Sequence, residues 1–189
     1  MIQSRIIGVT GLSGSGTSTV ASILEEMGGL VISADQLAHQ TMAEPETQEK
    51  IIAAFGTADR KKLGEIVFRD PAKLVELEKI IHPRVIAEVE RLLPAAENFT
   101  VIDAPLLVES GLHKLCDMVL LVTAPYETCI KRIQARDGIN ANAAARRLAS
   151  RKGEDFLRPF ATYVIENNGD LEKLRCAVLE RTHNAKETQ

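Results

Sequence analysis

The chain has 189 residues, 45% hydrophobic and 26% charged, the make-up of one globular domain with a real core and room for a small inserted lobe. Aromatic residues are only 4% and tryptophan is absent, so aliphatic side chains must build that core, and a net charge of −3 argues against a dedicated nucleic-acid binder. Cys116, Cys129 and Cys176 lack CxxC spacing, which argues against a disulfide framework or zinc site. No run is long and apolar enough to span a bilayer and no cleavable signal pattern opens the chain, so a cytoplasmic protein is expected.

Short runs rich in Val and Ile alternate with longer helical patterns, which predicts an α/β fold with a parallel sheet covered by helices. Residues 5–9 read as the first strand, 18–27 as the helix after it, and 30–33 as a second strand. Residues 45–55 and 63–93 are helical patterns with no strand between them, which reads as a substrate lobe inserted into the α/β core. There Leu74, Leu77 and Ile81 share one face, and Val85, Val89, Leu92 and Leu93 form a second stripe. Pro83, lying between them, is expected to split the segment into two helices. Strands resume at 100–103 and 118–123, with 163–166 a weaker candidate. The helical segment 130–152 carries Lys131, Arg132, Arg136, Arg146, Arg147, Arg151 and Lys152, which suits either a solvated face or a mobile lid. A helix around 171–181 closes the pattern.

The strongest motif is "TGLSGSGTST" at the end of the first strand. Gly11, the residues "LSGS", Gly16 and Ser18 fit a phosphate-binding loop, but Thr17 stands where that loop carries lysine. The glycines let the backbone fold around an anion with its amides pointing inward, and the following helix adds the positive end of its dipole. Gly11, Ser13, Gly14, Ser15, Gly16, Thr17, Ser18 and Thr19 are therefore candidate ATP-phosphate contacts, and the Ser18 hydroxyl is a candidate ligand of Mg²⁺. The alternative is an ordinary Gly/Ser-rich turn. The order strand, loop, helix favours phosphate. Losing lysine removes a point charge from the β/γ-phosphates, and a threonine hydroxyl neutralises nothing.

Two carboxylates follow strands. Asp35, in "VISADQLAHQ", comes just after the second strand, where the carboxyl ends of a parallel sheet face a ligand crevice. It suits either a proton acceptor or, with Ser33, a helix cap. Asp103 ends the strand in "FTVIDAPLLVESGL" and suits either a hold on a magnesium-bound water or a turn.

Taken together, "IGVTGLSGSGTSTV", "VISADQLAHQ", "LGEIVFRDP", "IIHPRV", "VIDAPLLVESGL", "KRIQARDG" and "YVIENNGDLEKL" resemble the dephospho-CoA kinase family. The resemblance implies a P-loop kinase fold: a parallel five-stranded sheet flanked by helices, with a helical substrate lobe and a lid. The core would fall at about 1–43, 98–130 and 160–185, the CoA-side lobe at about 44–97, and the lid at about 131–159. It implies transfer of the γ-phosphate of ATP, with Mg²⁺, to the 3′-hydroxyl of dephospho-CoA. Asp35 matches the family's general base. His82, Leu106, Leu107 and Glu109 match the acceptor side. Arg132 and Arg136 match lid arginines that close over the phosphates, and Asn167 matches a turn near the adenine end.

The chain departs from the family at Thr17 and in the short Thr57-Ala58-Asp59 connection. Its paired arginines become Arg60 and Lys61, and Arg151 stands where glutamine is usual. Arg151 and Lys61 are either stand-ins for the missing lysine or solvated side chains. Three readings follow: a working dephospho-CoA kinase, a non-catalytic nucleotide- or CoA-binding homologue, or a kinase for another small acceptor. A monomer is the default expectation.

Overall fold

A run of apolar residues from Ile7 to Val9 drives the first strand, β1 (Arg5–Gly11), into the centre of a sheet. The computed structural model describes residues 5–96 and 98–184. After β1 come α1 (Thr17–Glu26), β2 (Gly29–Ser33), α2 (Ala34–Ala43), α3 (Pro45–Phe55), α4 (Arg60–Arg69) and α5 (Pro71–Leu92). The chain continues with β3 (Phe99–Asp103), β4 (Met118–Thr123), α6 (Tyr126–Asp137), α7 (Ala141–Ala149), the short α8 (Glu154–Leu157), β5 (Tyr163–Glu166) and α9 (Leu171–Asn184). The strand order is β2-β3-β1-β4-β5, and β1 runs parallel to both β3 and β4, as β4 does to β5.

The chain divides into two compact units, Met1–Ile32 with Ala95–Gln189, and Ser33–Pro94. The first holds the sheet core. β4 is buried along Met118–Val122, the continuous apolar pattern of a strand covered on both faces. One core cluster joins Val9, Val101, Leu120 and Ile165 of the sheet to Val20, Ile23 and Leu24 of α1 and Leu174 and Val178 of α9. A second joins Cys129, Ile130 and Ile133 of α6 to Ala144 and Leu148 of α7. The segment read as one charged helix over 130–152 is thus two helices, separated at Gly138, whose φ of 66° ends α6 in the left-handed region.

The second unit is helical and is built by short-range signals. Pro45 and Pro71 occupy first-turn positions. Asp59 accepts from Lys62 N at 3.0 Å and Asp70 from Ala72 N at 2.9 Å, capping α4 and α5. Asp59 explains how a short connection suffices between α3 and α4.

The expected break at Pro83 does not occur, because α5 runs through it without interruption. Leu77, Ile81, Val85 and Val89 form one buried stripe that crosses the proline. Each such side chain contributes roughly 1.5–3 kcal/mol on burial, and together they outweigh the ~3 kcal/mol that an interior proline costs. Pro83 and Lys79, whose carbonyl loses its usual donor, are both exposed, so water can take that bond. Leu74, by contrast, is 38% exposed and does not belong to the stripe.

This balance predicts that Pro83→Ala stabilises the protein, by up to about 3 kcal/mol. Urea denaturation should show a higher midpoint with an unchanged slope. A lower midpoint would mean that the proline is required by the packing around it.

Candidate active site

The site starts where β1 ends. Parallel pairing brings the carboxyl ends of β1, β3, β4 and β5 to one edge, with Val9 opposite Asp103, Gly11 opposite Val122 and Thr123 opposite Glu166. In open α/β sheets such an edge is where ligands bind.

Gly11 has no room for a side chain: a Cβ there would come 2.4 Å from Val122 O and 2.6 Å from Ser15 Oγ. Gly14 and Gly16 have φ of 81° and 103°, a region that glycine enters without strain. A Cβ on Gly14 would come 2.6 Å from Cys129 O, and one on Gly16 would come 2.0 Å from Asn167 Nδ2. The loop closes with Ser15 N–H donating to Leu12 O at 3.0 Å, and Thr19 N–H and Val20 N–H donating to Gly16 O at 3.1 and 3.2 Å. Gly16 is the N-cap of α1, so the loop opens onto a helix N-terminus that carries no acidic residue in its first turn. Among the described residues, Ser15 Oγ and Thr10 Oγ1 are buried without a hydrogen-bond partner.

Thr17 is the first residue of α1, and a Cβ on Gly11 would come 3.2 Å from its methyl carbon. Ser18 and Thr19 lie exposed in the first helical turn.

Two arginines of α6 reach the loop. Arg132 donates to Gly14 O and Ser15 O, both at 3.1 Å, and to Asn167 Oδ1 at 3.2 Å. Arg136 Nη2 lies 3.4 Å from Ser13 Oγ. Asn167, just after β5, is 5% exposed and donates from Nδ2 to Ser15 O at 2.8 Å. The structure therefore brings together the loop, Arg132, Arg136 and Asn167. Arg151 is exposed.

A residue that the sequence motifs did not single out also belongs here. Asp137 accepts from Arg136 Nε at 2.8 Å and from Arg147 Nη1 at 2.8 Å. The hydrogen bond from Arg136, then the charges of Arg136 and Arg147, hold its carboxyl below the usual carboxylate range. Its sequence signal was the carboxylate directly after arginine in "ARDG".

Leu106, Leu107 and Glu109 lie in the turns after β3, with Leu107 fully buried. Glu109 Oε2 is buried and, among the described residues, has no hydrogen-bond partner. Asp35 and His82 belong to the helical unit. Asp35 sits in the first turn of α2, capped by Ser33, whose hydroxyl accepts from Gln36 N at 3.3 Å. With Gln36, His39 and Gln40 it lines a pocket of about 390 Å³. His39 Nε2 lies 3.2 Å from Arg60 Nη2; arginine only donates, so that ring nitrogen is the acceptor. His82 lies half-buried in α5.

The cysteines near the sheet favour the neutral thiol. Burial, with a further push from Asp117, raises the Cys116 thiol to about 12, and burial also raises Cys129. Among the described residues, no helix is long and apolar enough to cross a membrane.

The comparisons with known proteins agree with this geometry. The dephospho-CoA kinase (CoaE) family model matches residues 5–173. A dephospho-CoA kinase of Fusobacterium nucleatum is 42% identical over 178 residues, covering 89% of this chain and 92% of that protein. The crystal structure of TT1252 from Thermus thermophilus superposes with a TM-score of 0.82 at 34% identity, covering 99% of this chain and 100% of the other. Dephospho-CoA kinase from Campylobacter jejuni gives a TM-score of 0.60 at 25% identity, covering 96% and 97%. A glycine loop closing on a helix N-terminus at the edge of a parallel sheet is the core of a P-loop kinase, and the chain belongs to the dephospho-CoA kinase family.

Proposed function

We propose that the protein transfers the γ-phosphate of ATP to the 3′-hydroxyl of dephospho-CoA, giving coenzyme A and ADP, in the cytoplasm. The observation that carries this reading is the glycine loop, whose carbonyl oxygens Gly14 O and Ser15 O are tied back by Arg132, in a chain of this family. The loop residues Gly11, Ser13, Gly14, Ser15, Gly16, Thr17, Ser18 and Thr19 take the phosphates, with Arg132 and Asn167 on the ATP side.

The chemistry needs a base, a charge cradle and excluded water. Asp35 accepts the proton of the 3′-hydroxyl as its oxygen attacks the γ-phosphorus. The bond to the β–γ bridging oxygen then breaks and ADP leaves. Arg136, held by Asp137, places a guanidinium at the loop, where negative charge gathers in the transition state. Leu106, Leu107, Glu109 and His82 receive the acceptor. A buried Glu109 oxygen that has no partner among the described residues is a group that an acceptor's hydroxyl or amide would satisfy. The segment 131–159 serves as the lid.

The site suits Mg²⁺ without forming a full cage. No group of three His, Cys, Asp or Glu among the described residues could hold a metal ion by itself. Magnesium takes phosphate oxygens and water and needs only one or two protein oxygens; Ser18 Oγ would supply one, and the Asp103 carboxylate would hold a magnesium-bound water. When bound, it would neutralise charge on the β- and γ-phosphates.

A coupled assay with Mg²⁺, ATP and dephospho-CoA should show formation of coenzyme A. Asp35→Asn should lower kcat by about 10²–10⁴-fold while ATP affinity stays within about twofold. Retained turnover in that variant would remove Asp35 from the base role. Calorimetric binding of ATP or coenzyme A without turnover would favour the non-catalytic homologue, and turnover only with another alcohol would favour a different acceptor.

Thr17→Lys is expected to leave kcat unchanged or raise it, since lysine adds charge at the β/γ-phosphates. A large loss, read in the same assay, would mean that the loop is built around threonine.

A further inference from the structure

The carbonyl side of the phosphate loop is bound from behind by two side chains from distant parts of the sheet unit. Ser15 O accepts twice, from Arg132 Nη1 at 3.1 Å and from Asn167 Nδ2 at 2.8 Å. Gly14 O accepts from the same Arg132 nitrogen. Asn167 Oδ1 accepts from Arg132 Nη2 at 3.2 Å and from Gly169 N–H at 3.3 Å. Asn167 is itself anchored, because its backbone N–H donates to Thr123 O, the end of β4, at 2.8 Å. The amide orientation is forced: arginine only donates and a carbonyl only accepts, so Oδ1 must face Arg132 and Nδ2 must face Ser15.

We propose that Arg132 and Asn167 are positioning residues that act through the loop's own peptide groups, fixing and polarising the amides that hold the phosphates and offsetting part of the charge lost with lysine at position 17. The proposal rests on the ATP-dependent reading above. No peptide bond among the described residues is cis, and in a trans peptide the N–H points opposite to the C=O. Pinning Ser15 O therefore turns the Gly16 N–H to the other side of the loop, while the Ser15 N–H, on the peptide of Gly14 O, donates to Leu12 O at 3.0 Å and closes the turn. A cation donating to a carbonyl also draws electron density from that peptide, which makes its N–H a stronger donor, because hydrogen bonds in series polarise one another. The guanidinium charge of Arg132 thus reaches the phosphates through the Ser15–Gly16 peptide, without contact.

The geometry favours this over a lid arginine and an adenine contact. Both terminal nitrogens of Arg132 are engaged with the loop and with Asn167, and both ends of the Asn167 amide are occupied. Asn167 also packs so close to Gly16 that a methyl group there would collide with it at 2.0 Å.

The test compares inorganic tripolyphosphate, which has no adenine or ribose, with ATP. Binding of each is measured by calorimetry on the full chain for Arg132→Met, Asn167→Ala and the double variant, each with and without Thr17→Lys. Thermal midpoints and the KM for dephospho-CoA are recorded alongside. Each single variant should weaken tripolyphosphate and ATP by the same factor, about tenfold or more, the worth of a hydrogen bond to a charged group. The double variant should cost no more than the larger single one, because both side chains act on the same carbonyl. Thr17→Lys should restore more affinity in the variants than it adds to the parent chain, and the KM for dephospho-CoA should stay within about twofold. Arg132→Lys, which keeps the charge but not the fork, should recover only part of the loss.

Loss of ATP affinity with tripolyphosphate unaffected would place these residues at the adenine end and overturn the proposal. Additive losses would overturn it in favour of separate direct contacts, and weakening of both substrates with a lowered midpoint would reduce it to fold damage. Binding is read without turnover. A parent chain that takes ATP but forms no coenzyme A would therefore sink the kinase reading alone.

Discussion

Parallel pairing of β1 between β3 and β4 is the constraint on which the rest of this molecule depends. It buries the centre of the sheet on both faces, and it fixes where the chain must leave the core. Gly11 ends β1 against Val122 O with no space for a side chain, so the loop turns at that point. The same pairing puts Asp103 level with Val9 and carries Thr123 to where its carbonyl receives the Asn167 amide. One edge of one sheet thus positions a candidate partner for a magnesium-bound water, the phosphate loop and the loop's support.

Charge around that edge is arranged with little direct contact between opposite signs and the loop itself. Arg132 faces carbonyl oxygens, and Arg136 is held by Asp137, whose other partner is Arg147. The first turn of α1 carries no carboxylate, so nothing of its own competes for the helix dipole. The nearby thiols Cys116 and Cys129 stay neutral through burial. With threonine at position 17, the loop itself offers an anion backbone amides and hydroxyls but no cation. The aim of those amides is set by whatever grips the opposite ends of the same peptides.

The helical unit illustrates a contest between local and long-range terms. Its caps are local and obey local rules: Asp59 and Asp70 accept from nearby amides, and Pro45 and Pro71 begin helices. Pro83 obeys a different rule. A stripe of four buried aliphatic residues passes through it, and the burial energy exceeds the cost of one lost hydrogen bond on an exposed face.

Much of this was legible in the sequence because it rests on short-range chemistry. Short runs rich in Val and Ile, four to six residues long, marked the strands. Gly11, Gly14 and Gly16 marked a loop able to fold around an anion, and the run of motifs pointed to the family. What the sequence could not determine were contacts between residues far apart in the chain and the balance of energies between them. Arg132 read as a lid cation and Asn167 as a turn residue, because a single side chain does not reveal which carbonyl it will meet. Only the folded sheet, which brings the residue after β5 and a helix after β4 to the back of the loop, joins the two on Ser15 O. Likewise, proline's local cost is visible in sequence at Pro83, but the burial that outweighs it exists only once the stripe is packed.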